Sequence, residues 1–171
     1  MAMKQKHTMH HSTIVDADPD TVWAEVRDPM KLVEIVSGDA VRNVGWAEGG
    51  TLERVPSRYD FTLVFCEGLV EQEVAGRNEV KRSSTYRAVA PTMGVDGYLA
   101  TIRVRPITND PDRSYFEWSR ELAIADDADR EVVDSIIAMM ENQTDAVRDF
   151  FAPPKHRPTK PQSTKPQSTR R

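Results

Sequence analysis

Two hydrophobic periods alternate along this chain. Residues 9–17 (MHHSTIVDA) alternate and are rich in β-formers, which predicts a first strand. Asp18-Pro19-Asp20 then marks a helix start: Asp18 is placed as N-cap, Pro19 at the first helical position where no amide hydrogen is needed, and Asp20 where a negative charge suits the helix dipole. Val22, Trp23 and Val26 give that short helix one apolar face. Asp28-Pro29 repeats the start signal, and Met30, Leu32, Val33, Ile35 and Val36 follow before Gly38 ends the segment. From about residue 40 to residue 122 the texture is that of strands. The expected runs are 40–46, 51–55, 61–66, 69–75, 79–89, 98–106 and 114–124, with turns at Glu48-Gly49-Gly50, Gly76-Arg77-Asn78 and Asn109-Asp110-Pro111. Residues 129–151 return to a helical period, with Val133, Ile136, Ile137, Met140, Val147 and Phe151 on one stripe.

The order strand, two short helices, antiparallel meander, long amphipathic helix defines an α+β class. A curved sheet wrapped around the last helix satisfies it, with the short helices plugging one end and a space between sheet and helix. Such a space is filled by large side chains or by a ligand.

Composition narrows the function. A chain of 171 residues holds one domain, and its single cysteine, Cys66, excludes an intramolecular disulfide or a multi-cysteine zinc site. That usage points to a reducing compartment, the cytoplasm by default. The N-terminus lacks the apolar run of a signal peptide, and no window reaches the roughly 18 apolar residues of a membrane span. Residues 152–171 carry six of the 23 basic residues, none of the 27 acidic ones, five of the eleven prolines and a tandem TKPQS repeat. They read as a disordered basic tail, and residues 1–8 as a flexible N-terminus, which leaves 9–151 as the domain. The remainder of the chain is acidic, with 17 basic against 27 acidic residues, a poor surface for nucleic acid.

Four segments carry a resemblance. HSTIVDADPDTVWAEVRD (11–28), YLATIRVRP (98–106), YFEWSREL (115–122) and the final helix resemble the polyketide cyclase/dehydrase branch of the Bet v 1-like, START-related (SRPBCC) superfamily. The resemblance implies a helix-grip fold and an internal cavity for a hydrophobic small molecule. For function it implies an aromatase, cyclase or dehydratase of bacterial secondary metabolism; the alternative is a non-catalytic binder, lipid carrier or self-resistance protein. Residues 51–66, containing VPSRYDF, are longer than the second and third strands of that pattern, and read as a bulged strand or a loop over the cavity mouth.

Strand alternation suggests the lining. In the last strand Phe116, Trp118, Arg120 and Leu122 share a face; in the preceding one Tyr98, Ala100, Ile102 and Val104 face in, leaving Arg103 and Arg105 in water. Before those, Val80, Arg82, Ser84, Tyr86 and Ala88 form the matching face. The expected ligand-binding set is Arg82, Tyr86, Tyr98, Trp118, Arg120, Ile136 and Met140, with Arg82, Arg120 and Tyr98 as candidates for catalysis. Aromatic faces stack on rings, and Arg and Tyr donors meet carbonyl or enolate oxygens. The competing reading makes the aromatics core residues and pairs each Arg with a carboxylate. Trp23 is assigned to packing, and of Met139 and Met140 only the latter is expected to face the cavity fully. Metal ligation is not expected from His7, His10 and His11, read as solvated strand-end residues, or from His156. Cys66 is read as a buried structural thiol and the Asn142 sequon as chance. Neither a cofactor nor a phosphate loop, G-x-S-x-G or H-E-x-x-H motif is indicated.

Overall fold

The computed structural model describes residues 4–154. Within them lie β1 (Lys4–Val15), α1 (Pro19–Val26), α2 (Pro29–Ser37), β2 (Val41–Ala47), β3 (Ser57–Leu63), β4 (Gly68–Asn78), β5 (Ser83–Ala88), β6 (Val95–Ile107), β7 (Asp110–Ala125) and α3 (Arg130–Phe151). β1 starts at Lys4 and not at residue 9, because residues 4–8 pair with β7 (His7 opposite Leu122). The segment expected to be a flexible N-terminus is therefore ordered sheet from Lys4 onward. Residues 155–171, which make up most of the basic tail, lie outside the described residues, as do residues 1–3.

The strands form one antiparallel sheet in the order β1-β7-β6-β5-β4-β3-β2. Strands β2 to β7 are a meander, and the connection through α1 and α2 carries the chain from one edge strand, β1, to the other. Both helix starts follow from the Asp-Pro pairs. The Asp18 carboxylate accepts from the amides of Asp20 and Thr21, and that of Asp28 from the amide of Met30. Gly38 closes α2 with a φ of +47°, a conformation that favours glycine. α3 has 22 residues, about 33 Å at the usual rise, and packs on α2, β1 and β7. The sheet curves around it as a helix grip.

Several turn signals fall elsewhere. Residues 51–55 are not a strand: Ala47 pairs with Arg58, so residues 48–56 are the loop that joins β2 to β3. Cys66 leaves the third strand for the β3–β4 turn. Gly76 marks a bulge, where the β4–β5 register slips between Val74 and Gly76, so β4 runs on to Asn78 and the turn falls on 79–82. Val80, expected inside, is 88% exposed on that turn.

The long strands keep their expected parity. In β7, Phe116, Trp118 and Leu122 are buried, and so are Val104, Ile102 and Ala100 of β6, which stand across from Phe116, Trp118 and Arg120. A second slip between Asp96 and Leu99 lets Val95 and Tyr98, three positions apart, both face the core. On the outer face Glu117 accepts from Arg105 at 2.9 Å and lies 3.6 Å from Arg103.

Phe116 is 0% exposed and meets the Trp118 ring edge-on at a centroid distance of 6.0 Å. We expect Phe116→Ala to cost about 3–5 kcal/mol, checked by urea unfolding. A loss below about 1 kcal/mol would show that this centre of the sheet is loosely packed.

Candidate functional site

Between α3, α2 and the inner face of the sheet lies a two-lobed cavity. The larger lobe, about 80 Å³, is bounded by β3–β6 and by Ile136, Met139 and Met140 of α3. The smaller, about 40 Å³, lies under α2 and is walled by Tyr59, Tyr86 and Trp118. Phe61, Gln72, Tyr98, Met139 and Gln143 line both lobes and so form the partition between them. A buried water needs about 10–15 Å³ of such space, so the larger lobe alone has room for several. No Asp, Glu, Lys, Arg or His lines either lobe.

The polar groups of the wall come mainly from five strands, β3 to β7, and from α3. Tyr59 of β3 donates its hydroxyl to Gln72 Oε1 of β4 at 2.6 Å, both residues buried. Tyr86 of β5 stands edge-on to Trp118 with ring centroids 6.2 Å apart, and 6.3 Å from the Tyr98 ring. The Tyr86 hydroxyl and Trp118 Nε1 are buried without hydrogen-bond partners among the described residues. Behind them lies Arg120, 1% exposed. Its guanidinium carbon sits 3.9 Å from the centroid of the Trp118 ring, and Nη2 donates to Gln143 Oε1 at 2.5 Å. No carboxylate lies within salt-bridge distance of Arg120 among the described residues, and its Nε and Nη1 have no partner there. Among the described residues this cation is balanced only by an amide oxygen and an aromatic face.

Tyr86, Tyr98, Trp118, Ile136 and Met140 thus stand at the cavity. Arg120 stands one side chain behind it and touches the wall through Gln143 and Trp118. Arg82 does not belong. It sits in the β4–β5 turn with a φ of +46°, and its Nε and Nη2 donate to Asp20 Oδ1 of α1 at 2.8 and 2.7 Å. At a strand end its long side chain reaches the first turn of a neighbouring helix, so the carboxylate pairing applies to Arg82 and not to Arg120. Beside it Glu79 accepts from Trp23 Nε1 at 2.6 Å and Arg27 at 2.8 Å, which gives Trp23 a polar anchor in addition to packing.

Met139 lines both lobes, contrary to the expectation for it, because the cavity extends around α3 toward α2. Gln143 was legible in principle: it stands three positions after Met140, where the apolar stripe of α3 has a gap. Gln72 likewise fills a polar gap in an apolar face, between Val70 and Val74 in the alternation of β4. His7 and His11 are not solvated ends. They lie on the inward face of β1, each half-buried with one ring nitrogen unpartnered, while His10 Nδ1 on the outer face lies 3.0 Å from Ser119 Oγ. Among the described residues no three His, Cys, Asp or Glu side chains gather as metal ligands. Cys66 is half-buried, its Sγ 3.0 Å from Met93 Sδ at the cavity rim.

Residues 6–152 match the family model described as polyketide cyclase / dehydrase and lipid transport. The chain belongs to this family. No curated protein matches it by sequence. Among solved structures, the polyketide cyclase/dehydrase-family chain is similar to the protein XoxI of Bacillus cereus (19% identity, TM-score 0.69, covering 88% of this chain and 99% of that one). It is also similar to the Zhui aromatase/cyclase of Streptomyces sp. R1128 (15%, 0.67, 85% and 93%) and to truncated norcoclaurine synthase of Thalictrum flavum (18%, 0.64, 92% and 99%). At these identities the likeness establishes the helix-grip fold. No helix among the described residues is long and apolar enough to cross a membrane.

Burial pushes the Tyr59 and Tyr86 hydroxyls well above the ordinary tyrosine value; at Tyr86 neighbouring Tyr98 adds to the rise and the Arg120 charge partly opposes it. Both are therefore proton-bearing donors at neutral pH. The folded state keeps protons that the unfolded chain releases near pH 10, so their stabilisation is complete below that value and is lost as pH rises above it. In an alkaline absorbance titration we expect Tyr59 and Tyr86 to stay un-ionised through pH 10 until the protein unfolds. Four equal ionisations near pH 10 in the folded protein would contradict this arrangement.

Proposed function

We propose that this polyketide cyclase/dehydrase-family protein binds an apolar, ring-forming small molecule that carries carbonyl or enolate oxygens, of the kind found in aromatic polyketides. One observation carries the reading: a fully buried arginine without a carboxylate partner stands directly behind a wall of aromatic rings and unpaired hydrogen-bond donors. A buried cation costs several kcal/mol unless something compensates it. An electron-rich oxygen on a ligand in the cavity supplies that compensation. The apolar residues of the larger lobe would hold the hydrocarbon part, and the Tyr86–Trp118 side the oxygens. A setting in bacterial secondary metabolism follows from the same proposal.

Cyclisation or dehydration is the second reading, and the lining decides its form. Among the described residues neither lobe presents a carboxylate, histidine or lysine as general base, so turnover would rest on orienting the chain and stabilising an enolate by donors backed by the Arg120 charge.

We expect α-tetralone, a bicyclic aromatic ketone, to raise Tm in a concentration-dependent way, since a ligand at 100 times its Kd adds about 2.7 kcal/mol to stability. Met139→Trp places a large ring in both lobes and should weaken the effect at least ten-fold while circular dichroism stays native. Arg82→Ala, remote from both lobes, should leave it unchanged. Absence of stabilisation in the wild type, or an equal response from Met139→Trp, would remove the ligand reading. The catalytic reading is checked by mass spectrometry of a linear poly-β-ketone thioester: more than one product per protein supports it, and product limited to one equivalent leaves a binder.

A further inference from the structure

Arg120 does more than lend charge, because it fixes the direction of an amide. A guanidinium only donates hydrogen bonds, so the group facing it must be the Gln143 oxygen, as the 2.5 Å contact to Oε1 shows. Turning the amide over would set its NH₂ against the guanidinium NH₂ and leave the buried Arg120 without its oxygen; Gln143 is 7% exposed and Arg120 1%. The Gln143 Nε2 is thereby directed away from Arg120, on a residue that lines both lobes, and it has no hydrogen-bond partner among the described residues. Across the cavity Gln72, 8% exposed, likewise has its oxygen engaged by Tyr59 while its Nε2 is unpartnered. The same partition therefore carries two amide groups with engaged oxygens and unengaged donors. A wall of this polarity offers a ligand acceptor more free partners than it offers a ligand donor.

We propose that Gln143 is the specificity-determining contact of the cavity, donating from Nε2 to a carbonyl or enolate oxygen of the ligand, and that Arg120 is the positioning residue that locks the amide in the donating orientation. This rests on the reading of the cavity as a ligand site and adds the chemical selection made there: ketones and enolates are preferred to hydrocarbons and donor-only molecules of the same shape.

The test uses shape-matched probes, acetophenone against α-methylstyrene (C=O against C=CH₂) and aniline against toluene, with dissociation constants from ligand-observed NMR titration of the full chain. The wild type is expected to favour acetophenone over α-methylstyrene at least ten-fold. Gln143→Glu gives Arg120 a carboxylate and removes the donor. Its Tm should rise while the preference for acetophenone disappears, opposite signs that a general packing defect does not produce. Arg120→Met leaves the amide free to turn, so the acetophenone preference should shrink and aniline should gain on toluene; this variant also decides the matter if Gln143→Glu does not fold. Equal wild-type affinity for acetophenone and α-methylstyrene would overturn the selection while leaving the cavity reading intact. So would a preference that survives both substitutions. Binding of none of the four probes would overturn both.

Discussion

The inner face of this sheet is organised around one buried cation. Arg120 stands in the middle of β7, with β1 on one side and β6 on the other, where Met9 and Ala100 are its cross-strand neighbours. Neither offers a charge, and Ala100 is small enough to leave room for the long side chain. What stabilises the guanidinium comes from its own strand and from the helix: the π face of Trp118 two residues before it, and the amide oxygen of Gln143 across the sheet–helix interface. An uncompensated buried charge would cost several kcal/mol, so α3 must present a polar residue here although its stripe is otherwise apolar. Gln143 and Thr144, both buried, interrupt that stripe for about one turn. The cavity opens at that interruption.

This constraint sets the chemistry of the neighbouring space. Acidic residues are abundant in the chain, but the paired ones are on the outside: Glu117 with Arg103 and Arg105, Glu73 with Arg58 and Arg87, Glu48 with Arg58. A single carboxylate on the inner face would pair with Arg120 and end its influence on anything else. Its absence leaves positive potential, aromatic rings and hydrogen-bond donors on one side of the cavity and aliphatic and thioether groups on the other. A low-dielectric surround strengthens each of these interactions. Such a space discriminates by polarity as well as by shape.

Most of the fold was written in local signals. Asp-Pro pairs give the two helix starts, a stripe of six apolar residues gives α3, and alternation over β7 and over β6 from Tyr98 onward gives the inward faces. The resemblance to a known family supplied the helix grip itself, which local periodicity does not specify. Failures cluster where one residue type serves two structural ends. Glycine at 76 makes a bulge with the same backbone freedom that makes a turn, and only the partner strand distinguishes them. Leu52 and Val55 look strand-like, yet the β2–β3 pairing leaves nothing for them to pair with. The polar half of the cavity was the least legible part. Gln72 and Gln143 are ordinary surface residue types, marked in the sequence by no more than gaps in apolar faces, and burial at one cavity gives them a role.

Arg82 and Arg120 show why parity alone does not assign a site. Both are arginines that alternation points inward, and both lie near the small lobe's Tyr86, one in sequence and one in space. Depth along the strand separates them. Arg82 precedes the first residue of β5, in a turn, and an arginine at a strand end can fold back over the sheet rim; it does so onto Asp20, whose place in the first turn of α1 already favours a negative charge. That pair is largely exposed and worth at most about 1 kcal/mol. Arg120 has ten residues of β7 before it and five after it, so its side chain has no route to the rim and must be satisfied where it stands. A charge that the chain cannot bring to water is one that it must answer from within or from a ligand. Among the described residues the internal answer is one amide oxygen and one aromatic face, and the selection proposed for the cavity rests on the residue that supplies that oxygen as much as on the arginine.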